Sequence, residues 1–180
     1  MPEPTAAVRP ARAGDEKECG RLVAAQMLER IRAVNPDYEE RVADYLDEGR
    51  LAESWQQAIE SKDGETVLVA TESGSVVGFA AYVRDGERLE MTVLYVQADA
   101  RHKGHGSRLL QAIADTTGEG QLGVWVPKND EGSVRFYQGA GFGPTPASRE
   151  LSIGTAKDPE ALWVSWLGGA GYPDDVNEAQ

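Results

Sequence analysis

The segment 94–110 restricts the fold more than any other part of the sequence, because it joins three local structures without interruption. An apolar stretch typical of a strand is followed by a short basic loop with two glycines, and then by the start of an amphipathic helix. A helix N-terminus presents unpaired backbone N–H groups and a partial positive charge, and glycine lets a ligand approach those groups closely. The segment therefore predicts an anion site, suited to a diphosphate, where the loop meets the helix.

The charge of this loop supports the same interpretation. Arg101, Lys103 and Arg108 are cationic, and residues 101–110 contain no Asp or Glu. The whole chain has a formal net charge of −12, so a local run of cations without an anion requires an explanation. Binding of a negatively charged group is a physical reason for such a run.

Two familiar diphosphate-binding patterns do not fit the loop. A dinucleotide-binding fold requires Gly-x-Gly-x-x-Gly, but the third glycine would fall on Leu109. A P-loop requires Gly-x4-Gly-Lys-Ser/Thr, a string that does not occur in the chain. The loop instead reads Arg-x-x-Gly-x-Gly, with Arg101, Gly104 and Gly106 at the fixed positions. On the loop alone, a strand-to-helix turn without a ligand stays an open alternative.

A second motif lies in the segment 122–142. It predicts a strand, a break, a short helix that ends in Phe136-Tyr137, and then the pair Gly141-Phe142. In this order the two motifs resemble those of the GNAT superfamily of N-acetyltransferases. The first motif of that family is Arg/Gln-x-x-Gly-x-Gly, and the second is Asn-x-x-Ala/Ser-x-x-Phe-Tyr followed by Gly-Phe. The resemblance implies that the basic loop binds the pyrophosphate of acetyl-coenzyme A.

Periodicity and resemblance agree on the class of fold. Apolar spacing predicts the element order β-α-α-β-β-β-α-β-α-β-β, which is an α/β layout with a mixed sheet. The resemblance narrows this to the GNAT fold, a mixed central β-sheet of about seven strands flanked by helices. It implies a single domain over residues 1–167, and the composition of residues 168–180 predicts an acidic C-terminal tail.

The boundaries of the elements follow from the same patterns. Asp15 and Glu18 form a capping-box pattern at the start of the first helix, and a loop with Asp158 and Pro159 is expected between the last two strands. The predicted strands cover residues 8–11, 66–71, 76–84, 88–97, 122–126, 149–153 and 162–167. The predicted helices cover residues 15–35, 105–116 and 132–138, and two further amphipathic segments, 38–49 and 51–64, follow the first helix.

Composition argues against several classes of function. The net charge of −12 and the pI of 4.6 argue against a nucleic-acid-binding protein, which needs a basic face. No apolar stretch approaches the length of about 18 residues that a membrane span requires, and the N-terminus lacks the pattern of a signal peptide. Cys19 is the single cysteine, so an internal disulfide is excluded. We therefore expect a cytoplasmic protein without membrane or nucleic-acid partners.

The resemblance also assigns residues to the cofactor. It implies that backbone N–H groups at a bulge in the fourth strand stabilise the oxyanion, with the pantetheine arm lying beside them like an extra strand. The Asn of the second motif, which contacts the cofactor arm in the family, falls on Asp130, with Asn129 one position earlier. The residues expected at the cofactor are Leu94, Tyr95, Val96, Arg101, His102, Lys103, Gly104, His105, Gly106, Ser107, Asn129 and Asp130.

Acetyl transfer needs a neutral amine, a donor for the oxyanion and a proton for the leaving thiolate. Tyr137 matches the family tyrosine that reaches the cofactor sulfur and is the expected general acid, although Phe-Tyr on a short helix is also consistent with core packing. Glu90 matches a catalytic Glu that some members carry before the loop; a solvent-facing strand residue and proton transfer through water are the alternatives. His102 and His105 lack the further ligands that zinc requires, so no metal is predicted.

The expected activity is transfer of an acetyl group from acetyl-CoA, as co-substrate, to the amine of an acceptor. Transfer of another acyl group, acetylation of a protein lysine or N-terminus, and a non-catalytic acyl-CoA-binding sensor are the alternatives. A homodimer is also consistent with the resemblance, because dimers are common in the family.

An acidic segment bears on the identity of the acceptor. In the GNAT fold, the residues between the first two strands form one wall of the acceptor cleft, and here residues 36–65 carry ten acids against three bases. A cleft lined by one sign of charge concentrates the opposite ion. We therefore expect a cationic acceptor, with Asp44, Asp47 and Glu48 among the contributors. The alternative is that these acids only solvate the outer faces of helices.

Overall fold

The computed structural model describes residues 5–61, 63–118 and 120–168. The strands are β1 (Ala6–Pro10), β2 (Thr66–Glu72), β3 (Ser75–Asp85), β4 (Arg88–Val96), β5 (Gly120–Pro127), β6 (Gly143–Ile153) and β7 (Ala156–Leu167). They form one sheet in the order β1-β2-β3-β4-β5-β7-β6, in which β4 and β5 are parallel and the other neighbours antiparallel. The predicted mixed α/β sheet of seven strands is therefore confirmed. Apart from Gly168, the expected acidic tail lies outside the described residues.

Five helices connect these strands in the described part of the chain. They are α1 (Glu16–Val34), α2 (Glu39–Val42), α3 (Glu48–Glu60), α4 (His105–Thr117) and α5 (Glu131–Gly139). Apolar residues of α4 and α5 pack on one face of the sheet, and those of α1 and α3 pack on the other. None of these helices is long and apolar enough to cross a membrane.

The β2–β4 meander follows from its turn residues. Glu72 pairs with Ser75, so the first turn has only two central residues, Ser73 and Gly74, and both have positive φ. This conformation matches the right-handed twist of the flanking strands and favours a tight hairpin. Gly86, with a φ of +62°, serves the same purpose between β3 and β4. The meander thus forms as the sequence predicts.

The parallel pair β4–β5 is short. Its pairing runs from Arg88 opposite Gln121 to Met91 opposite Val124, although β4 continues to Val96. At the same point the register between β3 and β4 shifts by one residue, which leaves Thr92 as the extra residue of a β-bulge. The second half of β4 is therefore paired with β3 alone, and a gap opens on its β5 side.

Three local predictions about the chain are wrong. Asp15 does not form a capping box: its carboxylate bonds the Arg9 guanidinium at 2.6 Å and 3.0 Å, and this hydrogen bond holds its pKa below the usual value. The segment 38–49 is not one helix, because a 3-10 turn and the single turn of α2 precede α3. Asp158 and Pro159 lie inside β7 instead of a loop. Polar and proline residues look like turn signals, but the ion pair of the buried Asp158 with Arg30 overrides them.

The first prediction concerns the packing of Gly106 at the start of α4. A Cβ at this position would lie 3.0 Å from Cζ of Phe136, so we expect Gly106→Val to destabilise the fold by about 1–3 kcal/mol through overpacking. Urea unfolding measures this loss. Phe136→Leu in the same chain should recover part of it. Gly139→Ala is the control, because nothing lies within 4 Å of a Cβ there; an equally destabilised control would contradict the explanation.

Candidate active site

The basic loop forms the N-terminus of α4. Gly104 is the N-cap residue and has a φ of +84°, a left-handed conformation that residues with a Cβ rarely adopt. The N–H groups of His105, Gly106 and Ser107 follow at the first three helical positions, where no carbonyl of the same helix can reach them. The loop therefore presents backbone donors together with the positive end of the α4 dipole.

Two exposed cations stand beside these donors. Lys103 Nζ lies 3.2 Å from both carboxylate oxygens of Glu72 at the end of β2, and Arg108 Nη1 donates to the Lys103 carbonyl at 2.9 Å. The guanidinium of Arg108 also lies against Gly104. Both cations lie on the solvent side of the loop, where an anion held by the loop would meet them.

The two histidines of the loop differ in position. His102 has a φ of +61° at the turn. The side chain of His105 is only 1% exposed, and neither ring nitrogen has a hydrogen-bond partner among the described residues. The expected cofactor contact of His105 is thereby limited to its backbone N–H. In the described ranges, no group of three or more His, Cys, Asp or Glu side chains could hold a metal ion.

The side chain of Arg101 is turned toward α1. Its Nε donates to the Val96 carbonyl at 2.9 Å, and its Nη2 contacts both carboxylate oxygens of Glu29 at 2.9 Å and 2.8 Å. Tyr95 lies under the guanidinium and donates its hydroxyl to Glu29 at 2.6 Å. Burial, and after it the Glu29 carboxylate, raise the pKa of Tyr95 to about 12. Arg101 therefore ties the loop to α1 through Glu29.

The second half of β4 directs two peptide edges into the gap. Gln97 donates its N–H to Val77 on β3, and because peptide groups alternate in direction along an antiparallel strand, those of Leu94 and Val96 point away from β3. The carbonyl of Leu94 accepts from Gln26 Nε2 at 3.2 Å, and that of Val96 accepts from Arg101. Side chains thus occupy both carbonyls, while the two N–H groups face the gap.

Tyr137 is buried on the α5 side of the sheet. Its ring contacts Phe136 and Phe142 edge to face, at centroid distances of 5.1 Å and 5.4 Å. Burial raises the pKa of its hydroxyl well above the usual value, and the negative charge of Asp130 raises it further. The hydroxyl is therefore protonated at neutral pH, which is the state that a general acid requires.

Asp130 serves as the N-cap of α5. One carboxylate oxygen accepts from the Ser133 backbone N–H at 3.1 Å and the other from the Ser133 hydroxyl at 2.5 Å. Asn129 immediately precedes this cap, in the turn after β5. Asp130 thus has a structural partner at the position where the second motif predicts a cofactor contact.

Glu90 lies on the opposite face of the sheet from Tyr137. It alternates along β4 with Leu89 and Met91, which pack in the core beneath α4, so its side chain is on the α1 face. Arg88 Nη2 lies 3.4 Å from the Glu90 carboxylate. The two candidate catalytic residues therefore approach the sheet from different faces, on either side of the strand that carries the peptide donors.

Beyond β5, which borders the gap, β6 and β7 form a charged wall. Arg30 of α1 pairs with the buried carboxylates of Asp158 at 2.6 Å and Glu160 at 2.8 Å. Arg149 also pairs with Glu160, at 2.5 Å, and its guanidinium lies 4.3 Å from the centre of the Trp125 ring. Each acid of this wall therefore has an arginine partner.

Gln26 and Glu29 are the site residues that the motifs do not reveal. Both come from α1, where Gln26 falls at helical spacing after the buried Leu22 and Glu29 is exposed. For Gln26 the available signal was a polar side chain within an inward apolar stripe, because a buried polar group needs a partner. Only the three-dimensional structure shows that the partners lie at the end of β4.

A comparison with family models supports the geometry. Residues 26–142, more than half of the chain, match the model of the acetyltransferase (GNAT) family. The chain belongs to this family. It is accordingly an acyl-CoA N-acyltransferase, with acetyl-CoA as the co-substrate. No curated protein sequence matches it significantly.

Solved structures share the fold at low sequence identity. PaiA N-acetyltransferase from Thermoplasma acidophilum, in complex with coenzyme A, is 15% identical, with a TM-score of 0.68 over 90% of this chain and 99% of that one. A GCN5-related N-acetyltransferase from Rhodopseudomonas palustris is 22% identical, with a TM-score of 0.65 over 93% and 99%. The putative acetyltransferase yncA from Salmonella typhimurium, with acetyl-CoA, is 22% identical, with a TM-score of 0.64 over 94% and 98%. These likenesses confirm the GNAT fold.

The second prediction separates the two roles of Asp130. Asp130→Ala removes the cap of α5 and should cost about 1 kcal/mol in the free energy of unfolding, whereas Asp130→Asn keeps a good cap and should cost little. Urea unfolding measures both. Acetyl-CoA affinity, measured by calorimetry, should be unchanged in Asp130→Asn. Equal stability of the two variants would show that the capping contact contributes nothing.

Proposed function

We propose that this protein transfers the acetyl group of acetyl-CoA to an amine of a cationic small molecule. The observation that carries the proposal is the gap beside β4. There the N–H groups of Leu94 and Val96 face outward, with Tyr137 buried behind one face of the sheet and Glu90 on the other. This is the set of donors and acids that acyl transfer to an amine requires.

The loop at α4 fits a pyrophosphate. Gly104 provides the left-handed turn, and the N–H groups of His105, Gly106 and Ser107 provide donors at a helix N-terminus. Lys103 and its neighbour Arg108 supply charge, and His102 stands at the same turn. The pantetheine arm would then follow Leu94, Tyr95 and Val96 toward Asn129 and Asp130.

The proposed chemistry assigns one role to each side chain. Acetyl-CoA supplies a thioester carbonyl, at which the C–N bond forms and the C–S bond breaks. The N–H groups of Leu94 and Val96 stabilise the negative charge that develops on the carbonyl oxygen. Tyr137 gives its proton to the departing thiolate, and Glu90, directly or through water, takes the proton that the amine loses.

The acceptor is proposed to be cationic because three exposed acids, called the rim below, belong to the segment expected to line the acceptor cleft. Asp44, Asp47 and Glu48 are exposed, although Asp47 also caps α3 by accepting from the Arg50 N–H at 2.9 Å. The buried acids of β7 are paired with arginines and attract a ligand less. The rim acids are therefore the ones that would concentrate a multivalent cation.

A cytoplasmic location and a homodimer complete the proposal. β6 is the outermost strand on its side of the sheet and exposes Leu151, so it offers a free edge to a second copy. Sedimentation velocity at micromolar protein concentration distinguishes the dimer from a monomer.

The third prediction tests the activity itself. With acetyl-CoA and a panel of amines, an acceptor should stimulate thiol release, and Tyr137→Phe should lower kcat by about 10²–10⁴-fold. The raised pKa of Tyr137 also predicts no loss of wild-type kcat from its ionisation below pH 10. Quantitative mass spectrometry of the acetylated amine distinguishes acetyl transfer from hydrolysis of acetyl-CoA.

Each other outcome of this panel selects another function. Stimulation by a longer acyl-CoA alone indicates transfer of that acyl group, and stimulation by peptides alone indicates protein acetylation. Tight acetyl-CoA binding without thiol release for any amine indicates a sensor. Full kcat in Tyr137→Phe, when chemistry limits the rate, would make that residue structural.

The fourth prediction concerns salt. Capture of a multivalent cation by the rim should weaken as ionic strength rises, because the Debye length falls from about 10 Å at 0.1 M to about 3 Å at 1 M. For 1,4-diaminobutane we expect kcat/KM to fall steeply over this range. Asp44→Asn should flatten the dependence, with Glu53→Gln on α3 as the control for lost charge. A flat response with a neutral preferred acceptor would contradict the cationic assignment.

A further inference from the structure

One polar side chain of α1 lies over the gap without a role in the chemistry described so far. Gln26 is half-buried and falls in the stripe of α1 that faces the sheet, one turn after the fully buried Leu22. Its Nε2 donates to the Leu94 carbonyl at 3.2 Å. A glutamine in an apolar stripe is costly to bury unless its polar atoms form hydrogen bonds. This contact provides a partner for its Nε2 group.

The position of Gln26 follows from the path of α1 across the sheet. One turn further along the helix, Arg30 pairs with Asp158 and Glu160 on β7. Gln26 contacts β4, on the other side of the gap. Between these two contacts, α1 crosses the opening where β4 and β5 are no longer paired, and the Gln26 carboxamide lies beside the outward edge of Leu94.

The other half of the carboxamide has a free acceptor. Donation from Nε2 to Leu94 fixes which end of the amide is which, and it leaves Oε1 as an acceptor. In the described part of the chain, no donor forms a hydrogen bond to Gln26 Oε1. An amine that attacks a carbonyl near Leu94 brings N–H groups, and these need acceptors once water is excluded.

We propose that Gln26 binds the acceptor amine, with Oε1 accepting one of its N–H groups while Nε2 is held by Leu94. This inference rests on the proposed acetyl transfer and adds a residue to it. The bond directs the nitrogen lone pair toward the carbonyl carbon beside the Leu94 N–H. The hydrogen shared with Oε1 stays on nitrogen; the proton that the amine loses goes to Glu90 or water.

At position 26, a neutral side chain suits the role of hydrogen-bond acceptor better than a negatively charged one. A carboxylate would hold the amine as an ammonium, which has no lone pair to attack with, because an opposite charge raises the pKa of an amine. A carboxamide accepts the N–H without that effect. The difference between Gln and Glu at position 26 is therefore visible in the pH dependence of the reaction.

The fifth prediction is a kinetic test with 1,4-diaminobutane as the acceptor. Gln26→Leu should lower kcat/KM for the diamine by about 10- to 100-fold, the range for a hydrogen bond to a group that gains charge. Its calorimetric Kd for acetyl-CoA should stay within twofold of the wild type. Gln26→Glu should move the rise of kcat with pH to a higher pH, because kcat reports ionisation in the bound complex, whereas Gln26→Leu should leave its midpoint in place.

Met27→Ala is the matched control, because Met27 is the next residue on the same helix and is 44% exposed. It should leave kcat/KM for the diamine and the Kd for acetyl-CoA unchanged. A Gln26→Leu variant with wild-type kcat/KM for the diamine overturns the proposal, and so does one that loses acetyl-CoA affinity in the same proportion. If Gln26→Leu fails to fold, the pH shift of the nearly isosteric Gln26→Glu decides, and its absence overturns the proposal.

The outcome is distinguishable from failure of the proposed function. If another amine proves to be the preferred acceptor of the wild type, the same variants are measured with that amine, and the expected losses are the same. If the wild type acetylates no amine, the proposed function and the role of Gln26 are both overturned. If the wild type is active and Gln26→Leu is equally active, only the role of Gln26 is overturned.

Discussion

The separation of β4 from β5 after Met91 and Val124 is the constraint on which the rest of the site depends. A strand that loses its partner exposes backbone donors and acceptors, and these must be satisfied in some other way. Among the residues that the structure describes, side chains satisfy only the carbonyls of this edge. Gln26 and Arg101 bond the outward carbonyls of β4, and the N–H groups remain for a ligand. An edge that offers donors alone is suited to a carbonyl oxygen that gains negative charge.

Helix α1 contacts two regions on either side of this edge, the basic loop and β7. Through Glu29 it holds Arg101, which begins the loop proposed for the pyrophosphate, and through Arg30 it holds the acidic wall of β7. A displacement of α1 would therefore disturb both regions together. Such coupling explains why Arg101, the first fixed residue of the loop motif, is bonded to protein groups: its contacts set the position of the loop, and the cations that face outward are Lys103 and Arg108.

The sequence predicted more of the fold than of the site. The β2–β4 meander and the helices α4 and α5 were predictable because local signals, such as Gly74 in a tight turn, coincide with the final structure. Asp158 was placed in a loop because an acid beside a proline is normally exposed, and only Arg30, distant in sequence, reverses that preference. The motifs named the loop and Tyr137, but they could not reveal Gln26, whose partner is a backbone carbonyl on a remote strand.

Charge acts over longer distances than hydrogen bonding, so the two interactions would contribute differently to recognition of an acetyl acceptor. In the proposed function, the exposed acids of the rim act at distances up to the Debye length, about 8 Å at physiological ionic strength, so they would affect capture more than orientation. The buried acids Asp158 and Glu160 are neutralised by Arg30 and Arg149, since an unpaired buried charge would be too costly. Orientation at the carbonyl must then come from a short-range neutral contact, and among the residues that the structure describes beside Leu94, Gln26 has that chemistry.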